Sequence, residues 1–304
     1  MKTNLFRAVK RLRDGARVAL IAPSGILPES AQIERAQENA RSLGWEPVLG
    51  ENVSRIHGYL AGTDVERAAD LNRALRDNSI DGIWCIRGGY GAMRILRDID
   101  YGAMKANPRP FIGFSDITAI HSAVHRECGV ITFHGPTARG EMSDFSRDSF
   151  VRALVEQVDP CGEAPGARVL RAGKAQGRLA GGNLALVAAL MGTPWSIDFD
   201  GAILVLEDVD EAVYRVDRMM RQLLLAGALS RCAAIVAGDF RPPQGETGEQ
   251  NRAIDDVFME VADEAGIPCL AGAPFGHIHD QWTIPLGAQA VVDTDEMSLR
   301  IVND

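Results

Sequence analysis

A serine, a carboxylate and a histidine, each standing at the edge of an apolar run, are the residues of this sequence that could act together. Ser115 lies in "FIGFSDITAI" (111–120), after Phe111, Ile112 and Phe114 and before a helix-like run through Ile117, Ile120, His121 and Val124. Two readings of it stay open. Serine is strongly preferred as a helix N-cap, and taken singly Ser115 favours that use. A strand-to-helix turn is also where an α/β hydrolase carries its nucleophile, with helix N–H groups and the positive dipole end facing incoming negative charge. The GxSxG elbow is not matched, because the stretch reads Gly-Phe-Ser-Asp-Ile.

A serine hydroxyl needs a base to become a useful nucleophile. Of the six histidines, His57, His121 and His125 sit in loop or helix patterns and read as ordinary surface or core residues, while His134 in "TFHGP" ends a strand and could line a site. "APFGHIHDQWTIPLG" (273–287) offers His277 and His279. The glycine before His277 lets the backbone turn sharply and present the imidazole, which sets His277 slightly ahead. The imidazole in turn needs a carboxylate to orient it and stabilise its cation. Glu207 follows five apolar residues in "AILVLEDVDEAVYRVDR", and a buried strand rarely ends in an acid without a partner. Asp208, Asp210 and Glu211 read as solvated loop residues or caps for a helix at Val213.

"IRGGYGAMRI" (86–95) is the fourth feature. Adjacent glycines after a strand expose backbone N–H groups, as an oxyanion hole or a phosphate cradle requires. Gly88, Gly89 and Gly91 do not make GxGxxG, and no strand-ending acid follows about 20 residues on, so a nucleotide-binding reading is the weaker one. Arg87 and Tyr90 could line the same opening and contact substrate.

These residues have to be positioned by alternating strands and helices. "ARVALIA" (16–22), "DGIWCI" (81–86), "PFIGF" and "GVITFHG" (129–135) read as strands, the first continuously apolar from Val18 to Ala22 and suited to burial on both faces. Between them, Ile33, Ala36, Ala40 and Leu43 share one helix face, and Thr63 with Glu66 form a capping box before Ala68, Leu71 and Leu75. Residues 159–182 turn glycine- and proline-rich, which places a domain junction at 161–182, between residues 1–160 and 183–304. The second part resumes with a helix at 184–191, strands at 201–208 and 232–240, a polar loop "RPPQGETGEQN" (241–251), and a helix with Ile254, Val257, Phe258 and Val261 on one stripe. β–α alternation of this kind predicts an α/β fold with a mostly parallel sheet.

Composition excludes several classes. At 304 residues with a net charge of −9, the chain has no basic excess to drive binding to nucleic acid or an anionic membrane. No window approaches the ~18 apolar residues of a membrane span, and the basic N-terminal stretch never reaches the ~7–15 apolar residues of a secretory core. Five scattered cysteines, without a CxxC pair, suit reducing surroundings. A cytoplasmic, soluble protein is expected. No clustered-ligand spacing or HExxH calls for a metal, and no cofactor is expected.

Taken together, "VALIAPSG", "RGGYG", "FIGFSDITA", "FHGP", "GRLAGGNLALVAALMGTPW", "LVLEDVDEAVYRVDRMM" and "FGHIHDQWTIPLG" resemble, in order and over nearly the whole chain, the motifs of the LD-carboxypeptidases of peptidase family S66. The resemblance implies a Rossmann-like N-terminal domain bearing the nucleophile and a smaller α/β C-terminal domain bearing acid and base. It implies a triad of Ser115, Glu207 and His277, with N–H groups of Asp116 and Gly89 as the oxyanion hole. It implies release of the terminal D-alanine from cytoplasmic murein tetrapeptide, and it makes a homodimer plausible. Within the same family, a branch resembling microcin C self-immunity proteins cleaves peptidyl- or aminoacyl-nucleotide amides. The 304-residue length and the short segment between Ser115 and Glu207 favour the carboxypeptidase branch. A non-catalytic nucleotide- or small-ligand-binding protein using "RGGYG" is the reading from a different class.

Overall fold

The computed structural model describes residues 6–164, 166–243 and 252–302. Residues 244–251, most of the polar loop expected at 241–251, lie outside the described residues, as do the first five of the basic N-terminal stretch.

The first half builds a sheet from β1 (Arg17–Ile21), β2 (Glu46–Leu49), β3 (Gly82–Cys85), β4 (Phe111–Gly113) and β5 (Thr132–His134). These five pair in parallel in the order β5-β4-β3-β1-β2. Parallel strands need crossovers, and the helices supply them. They are α1 (Ser30–Ser42), α2 (Asp64–Arg76), α3 (Tyr101–Ala106) and α4 (Thr118–Cys128), followed by α5 (Asp144–Val151). The expected capping box is present at α2: Thr63 Oγ1 accepts from Glu66 N–H, while Glu66 Oε2 accepts from Thr63 N–H at 2.8 Å. Such a cap contributes roughly 1 kcal/mol.

The second half builds a second sheet from β6 (Gly162–Glu163), β7 (Arg168–Arg171), β8 (Lys174–Asn183), β9 (Ala202–Val209), β10 (Ala234–Arg241) and β11 (Cys269–Ala271). After β12 (Ile284–Leu286) come β13 (Gln289–Asp293) and β14 (Ser298–Ile301). The order is β6-β14-β13-β8-β9-β10-β11-β7, with β8, β9, β10 and β11 parallel to their neighbours among themselves and the outer pairings antiparallel. Helices α6 (Leu184–Ala189), α7 (Val213–Leu225) and α8 (Ile254–Ala265) cover it. Val216, Met220 and Leu223 of α7 meet Val257, Phe258 and Val261 of α8 in one core. The fold is thus α/β, mostly parallel at the centre of each sheet, in two domains.

Two details bear on where the domains divide. Residues 161–182 supply β6, β7 and nearly all of β8, so they are part of the second sheet and not a connector outside it. We propose the division just before β6. β12 then leaves the second domain and pairs antiparallel with β5, Ile284 opposite His134, adding a sixth strand to the first sheet. The chain therefore crosses between domains next to the segment that carries His277 and His279.

Helix α4 shows how closely the two halves pack. Thr118, Ala119, Ile120, His121, Ser122, Ala123 and Val124 are all buried, and a helix buried on every side must be covered on every side. β8 reaches it from the second domain: Asn183 N–H donates to Thr118 Oγ1 at 2.9 Å. Gly182 has φ 128°, and a methyl there would stand 2.4 Å from Thr118 Oγ1, so only glycine lets this strand end dock on the helix.

Candidate active site

Ser115 follows β4 and opens a short 3₁₀ turn, Ser115–Ile117, that runs into α4. Its φ is 64°, the left-handed region that non-glycine residues seldom adopt. Its hydroxyl makes no capping bond, and the residue preceding α4 is Ile117. The capping reading of Ser115 therefore fails. What remains is a serine held in a strained turn, of the kind that costs about 1–3 kcal/mol and persists where surrounding contacts enforce it.

The enforcing contacts come from Asp116. Its buried carboxylate Oδ2 accepts from Ser24 Oγ at 2.7 Å and from Ala92 N–H at 2.8 Å. Ser24 lies in the "APSG" turn after β1, and Ala92 directly follows "RGGYG". Arg67, itself buried, donates from Nη1 to the carbonyls of Pro23 and Gly91 and ties the same two turns from below. Burial pushes the Asp116 carboxyl up, opposed by the bonds from Ser24 and Ala92 and by the charge of Arg67. Three loops are thus held together around the serine. Sequence reading missed Ser24 and Arg67, because their partners lie in other loops.

The glycine turn packs directly against Ser115. A methyl on Gly88 would lie 3.0 Å from both Phe114 O and Ser115 Cβ and 3.3 Å from Ser115 Oγ. The Gly88 carbonyl accepts from Gly25 N–H at 3.1 Å, which in a trans peptide turns the Gly89 N–H the opposite way. That N–H has no acceptor among the described residues. Gly89 itself has φ 108° and packs on Gly25.

Glu207 lies near the C-terminal end of β9 with no exposed surface. Its Oε2 lies 2.7 Å from His277 Nδ1. Gly276, at φ 112°, allows this approach, since a methyl there would sit 2.9 Å from Glu207 Cβ. Burial pulls the His277 pKa down, but the hydrogen bond and charge of Glu207, with the charges of Asp208 and Asp239, more than offset it and hold it above its ordinary value. The imidazole packs on Phe114, the residue before the serine, with ring centroids 4.8 Å apart. The Glu207–His277 pair is therefore packed against the residue that precedes Ser115, just beyond the end of β4. No hydrogen bond joins Ser115 Oγ to the imidazole here; catalytic bonds of this kind often tighten only with substrate bound.

The other sequence candidates separate cleanly. His279 is 71% exposed at its side chain and pairs with Asp280. His134 is buried beside Phe114 and Phe275, with ring centroids 5.8 and 6.1 Å away. His121 is buried and bonded to Gly113 O, and His125 is half-buried and bonded to Thr132 Oγ1. Asp208 was expected in a solvated loop or as a cap for the helix at Val213, and here the structure differs. It is buried and accepts from Asn183 Nδ2, Ala185 N–H and Val209 N–H, so it caps α6 instead. Burial raises its pKa to about 6, against the pull of the Asn183 bond.

Arg87 donates from Nη1 to Ile26 O, and Tyr90 is 56% exposed, edge-on to Tyr59. Arg139, unremarked in the sequence, donates its N–H to Ile86 O, adjacent to Arg87. Burial and the neighbouring Arg87 charge both lower its pKa. Neither guanidinium has a carboxylate partner among the described residues.

No helix among the described residues is long and apolar enough to cross a membrane. Comparison with known proteins agrees with the architecture above. Residues 18–135 match the LD-carboxypeptidase N-terminal domain and residues 176–292 its C-terminal domain. A probable murein peptide carboxypeptidase of Bacillus subtilis is 35% identical, across 96% of this chain and 93% of that protein. The murein tetrapeptide carboxypeptidase of Pseudomonas aeruginosa is 33% identical, across 92% of this chain and 94% of its own. The microcin C7 self-immunity protein MccF, solved as an inactive mutant without ligand, superposes with a TM-score of 0.88 at 26% identity, covering 99% of both chains. With both domains matched and relatives above 30% identity along nearly the whole length, the chain belongs to the LD-carboxypeptidase family, peptidase family S66.

Proposed function

We propose that this protein is a serine-type LD-carboxypeptidase that removes the terminal D-alanine from murein tetrapeptide, L-Ala-D-Glu-mDap-D-Ala, in cytoplasmic peptidoglycan recycling. The observation that carries the reading is the 2.7 Å bond between buried Glu207 and His277, stacked on the residue next to a left-handed Ser115. His277 takes the Ser115 proton as Oγ attacks the amide carbonyl carbon. Glu207 keeps Nδ1–H pointed away from the serine, so that Nε2 is the basic nitrogen, and stabilises the cation that forms. The N–H groups of Gly89 and Asp116 bind the oxyanion, each worth about 3 kcal/mol in such sites. The C–N bond then breaks as His277 protonates the departing D-alanine nitrogen. Water, deprotonated by the same imidazole, hydrolyses the acyl-enzyme and regenerates Ser115.

Arg87 and Arg139, adjacent and without carboxylate partners, suit capture of a substrate carboxylate, with Tyr90 on the exposed rim. The murein relatives support the carboxypeptidase reading. The likeness to MccF supports a second one, hydrolysis of a peptidyl- or aminoacyl-nucleotide amide by the same three residues.

D-alanine release from the tetrapeptide, wild type beside Ser115→Ala, tests the proposal. Release by wild type, reduced in the variant by about 10⁵–10⁶, is expected. No release by wild type, with turnover of an aminoacyl-nucleotide amide instead, would replace it by the second reading. Light scattering at micromolar protein checks the homodimer that the family resemblance suggests.

A further inference from the structure

The two turns beside Ser115 are held by a pair of opposite charges, and each charge takes one contact from each turn. Asp116 Oδ2 accepts from Ser24 Oγ at 2.7 Å and from Ala92 N–H at 2.8 Å. Arg67 Nη1 donates to the carbonyls of the residues just before these two, Pro23 and Gly91, the latter at 2.9 Å. The peptide group that joins Gly91 to Ala92 therefore has its C=O on the cation and its N–H on the anion.

A separate bond fixes the other end of the glycine turn, where Gly88 O accepts from Gly25 N–H at 3.1 Å. Between that bond and the held peptide stand only Gly89 and Tyr90. The direction of the Gly89 N–H thus depends on both anchors. The turn also rests on the guanidinium itself: a methyl on Gly91, at φ 128°, would stand 3.0 Å from Arg67 Nη1.

Packing and helix electrostatics do not call for an arginine here. Arg67 sits in the first turn of α2, at the end of the helix dipole that disfavours a cation, and its side chain is wholly buried. Burial pulls its pKa down, opposed by the hydrogen bond and charge of Asp64. An apolar side chain of similar size would fill the same space without the cost of desolvating a charge. Asp64 has a second partner in any case, since its carboxylate is 31% exposed and is also held in a fork by Arg94. What only a guanidinium supplies is a rigid set of donors that reaches both carbonyls from Nη1 and Asp64 from Nη2.

We propose that Arg67 is a positioning residue for the oxyanion hole, setting the direction of the Gly89 N–H by pinning the Gly91–Ala92 peptide against Asp116. Arg67 is too deeply buried to meet substrate and acts through the glycine turn alone. The role rests on the serine-hydrolase function proposed above, and it holds for either amide that the serine cleaves.

Steady-state kinetics of Arg67→Met and Arg67→Lys test it, on whichever amide wild type hydrolyses, murein tetrapeptide or aminoacyl-nucleotide, at a temperature where thermal melts show the proteins folded. Arg67→Met keeps the length of the side chain and releases both carbonyls. Its kcat should fall about 10²-fold while KM stays within about threefold, because the donor that Arg67 aligns acts on the transition state. Arg67→Lys keeps the charge and loses the fork, so it should recover part of the loss and stand about tenfold below wild type. A kcat of Arg67→Met within about threefold of wild type overturns the proposal, and so does a rise in KM that matches the fall in kcat. Should Arg67→Met not fold, Arg67→Lys decides: a reduced kcat at unchanged KM supports the role, and a wild-type kcat overturns it. Hydrolysis of neither amide by wild type is a different failure, one that removes the serine-hydrolase function and the role of Arg67 with it.

Discussion

Replacing Glu207 by glutamine isolates the charge of the buried carboxylate while keeping its size. The pair is 2.7 Å apart between Oε2 and Nδ1, and Glu207 has no exposed surface. Charge centres of a carboxylate and an imidazolium in such contact are about 4 Å apart, and at an effective dielectric near 20 their attraction is about 4 kcal/mol. That energy is present only while the imidazole is protonated, which is the state formed as the serine attacks. Losing it costs about 10³ in kcat. The amide adds a second penalty, because its NH₂ can face Nδ1 and favour the tautomer with the proton on Nε2, where it cannot accept from Ser115. A fall of about 10³–10⁴ is therefore expected, in line with carboxylate-to-amide changes in Ser-His-Asp enzymes. Initial rates of D-alanine release, beside a thermal melt of each protein, provide the measurement. A variant that melts like wild type and keeps kcat within tenfold would refute the charge argument. The pH profile gives an independent reading. His277 must be neutral to act as base, so activity should rise through an inflection above the ordinary histidine value, where Glu207 holds it. In Glu207→Gln burial still acts but that charge is gone, and the inflection should move to lower pH.

The remaining expectations concern positioning and stability. Gly88→Ala places a methyl 3.0 Å from Ser115 Cβ and 3.3 Å from Oγ, so kcat should fall about 10²-fold while the melting temperature changes little; unchanged kinetics would remove the glycine turn from the site. Gly181→Ala would set a methyl 2.0 Å from Val205 O at φ 130°, and urea denaturation should show a loss above about 3 kcal/mol. The raised pKa of His277 means that its pairing with Glu207 stabilises the fold fully below the unfolded histidine value of about 6.5 and that this is lost as pH rises through the higher folded value. The stability gap between wild type and His277→Gln should accordingly shrink from pH 6 to pH 9, and a constant gap would contradict the assignment. Asp208 runs the other way: its folded pKa of about 6 lies above the unfolded carboxylate value, so the folded state binds the extra proton and Asp208 contributes more stability as pH falls from about 6 toward 4. In Asp208→Asn, titrated by urea over that range, this gain should vanish.

Much of the molecule is written locally. After Arg17 the run "VALI" is apolar because β1 is covered on both faces there, and Thr63 with Glu66 mark the start of α2 without help from anything distant. Ser115, Glu207 and His277 could each be singled out because the residue types their chemistry needs stand beside a strand end or a glycine. Which of them meet is a different matter. Local pattern reports the period of an element and its ends, and it carries no record of what packs against them. Taken singly, Ser115 reads as a helix cap, and only its left-handed φ and unbonded hydroxyl exclude that use, while His277 and His279 are separated by burial that only the fold creates. Asp208 looks like a loop acid beside Glu207, yet alternation along β9 turns it away from His277 and onto α6. The contacts that decided these cases span 25 to 92 residues: Asn183 with Asp208, Glu207 with His277, Ser24 with Asp116. The residue types and the order of elements were determined by the sequence itself; the pairing of the groups, and hence their protonation, was decided by tertiary packing, because a hydrogen bond in a buried site depends on two segments that share no local signal.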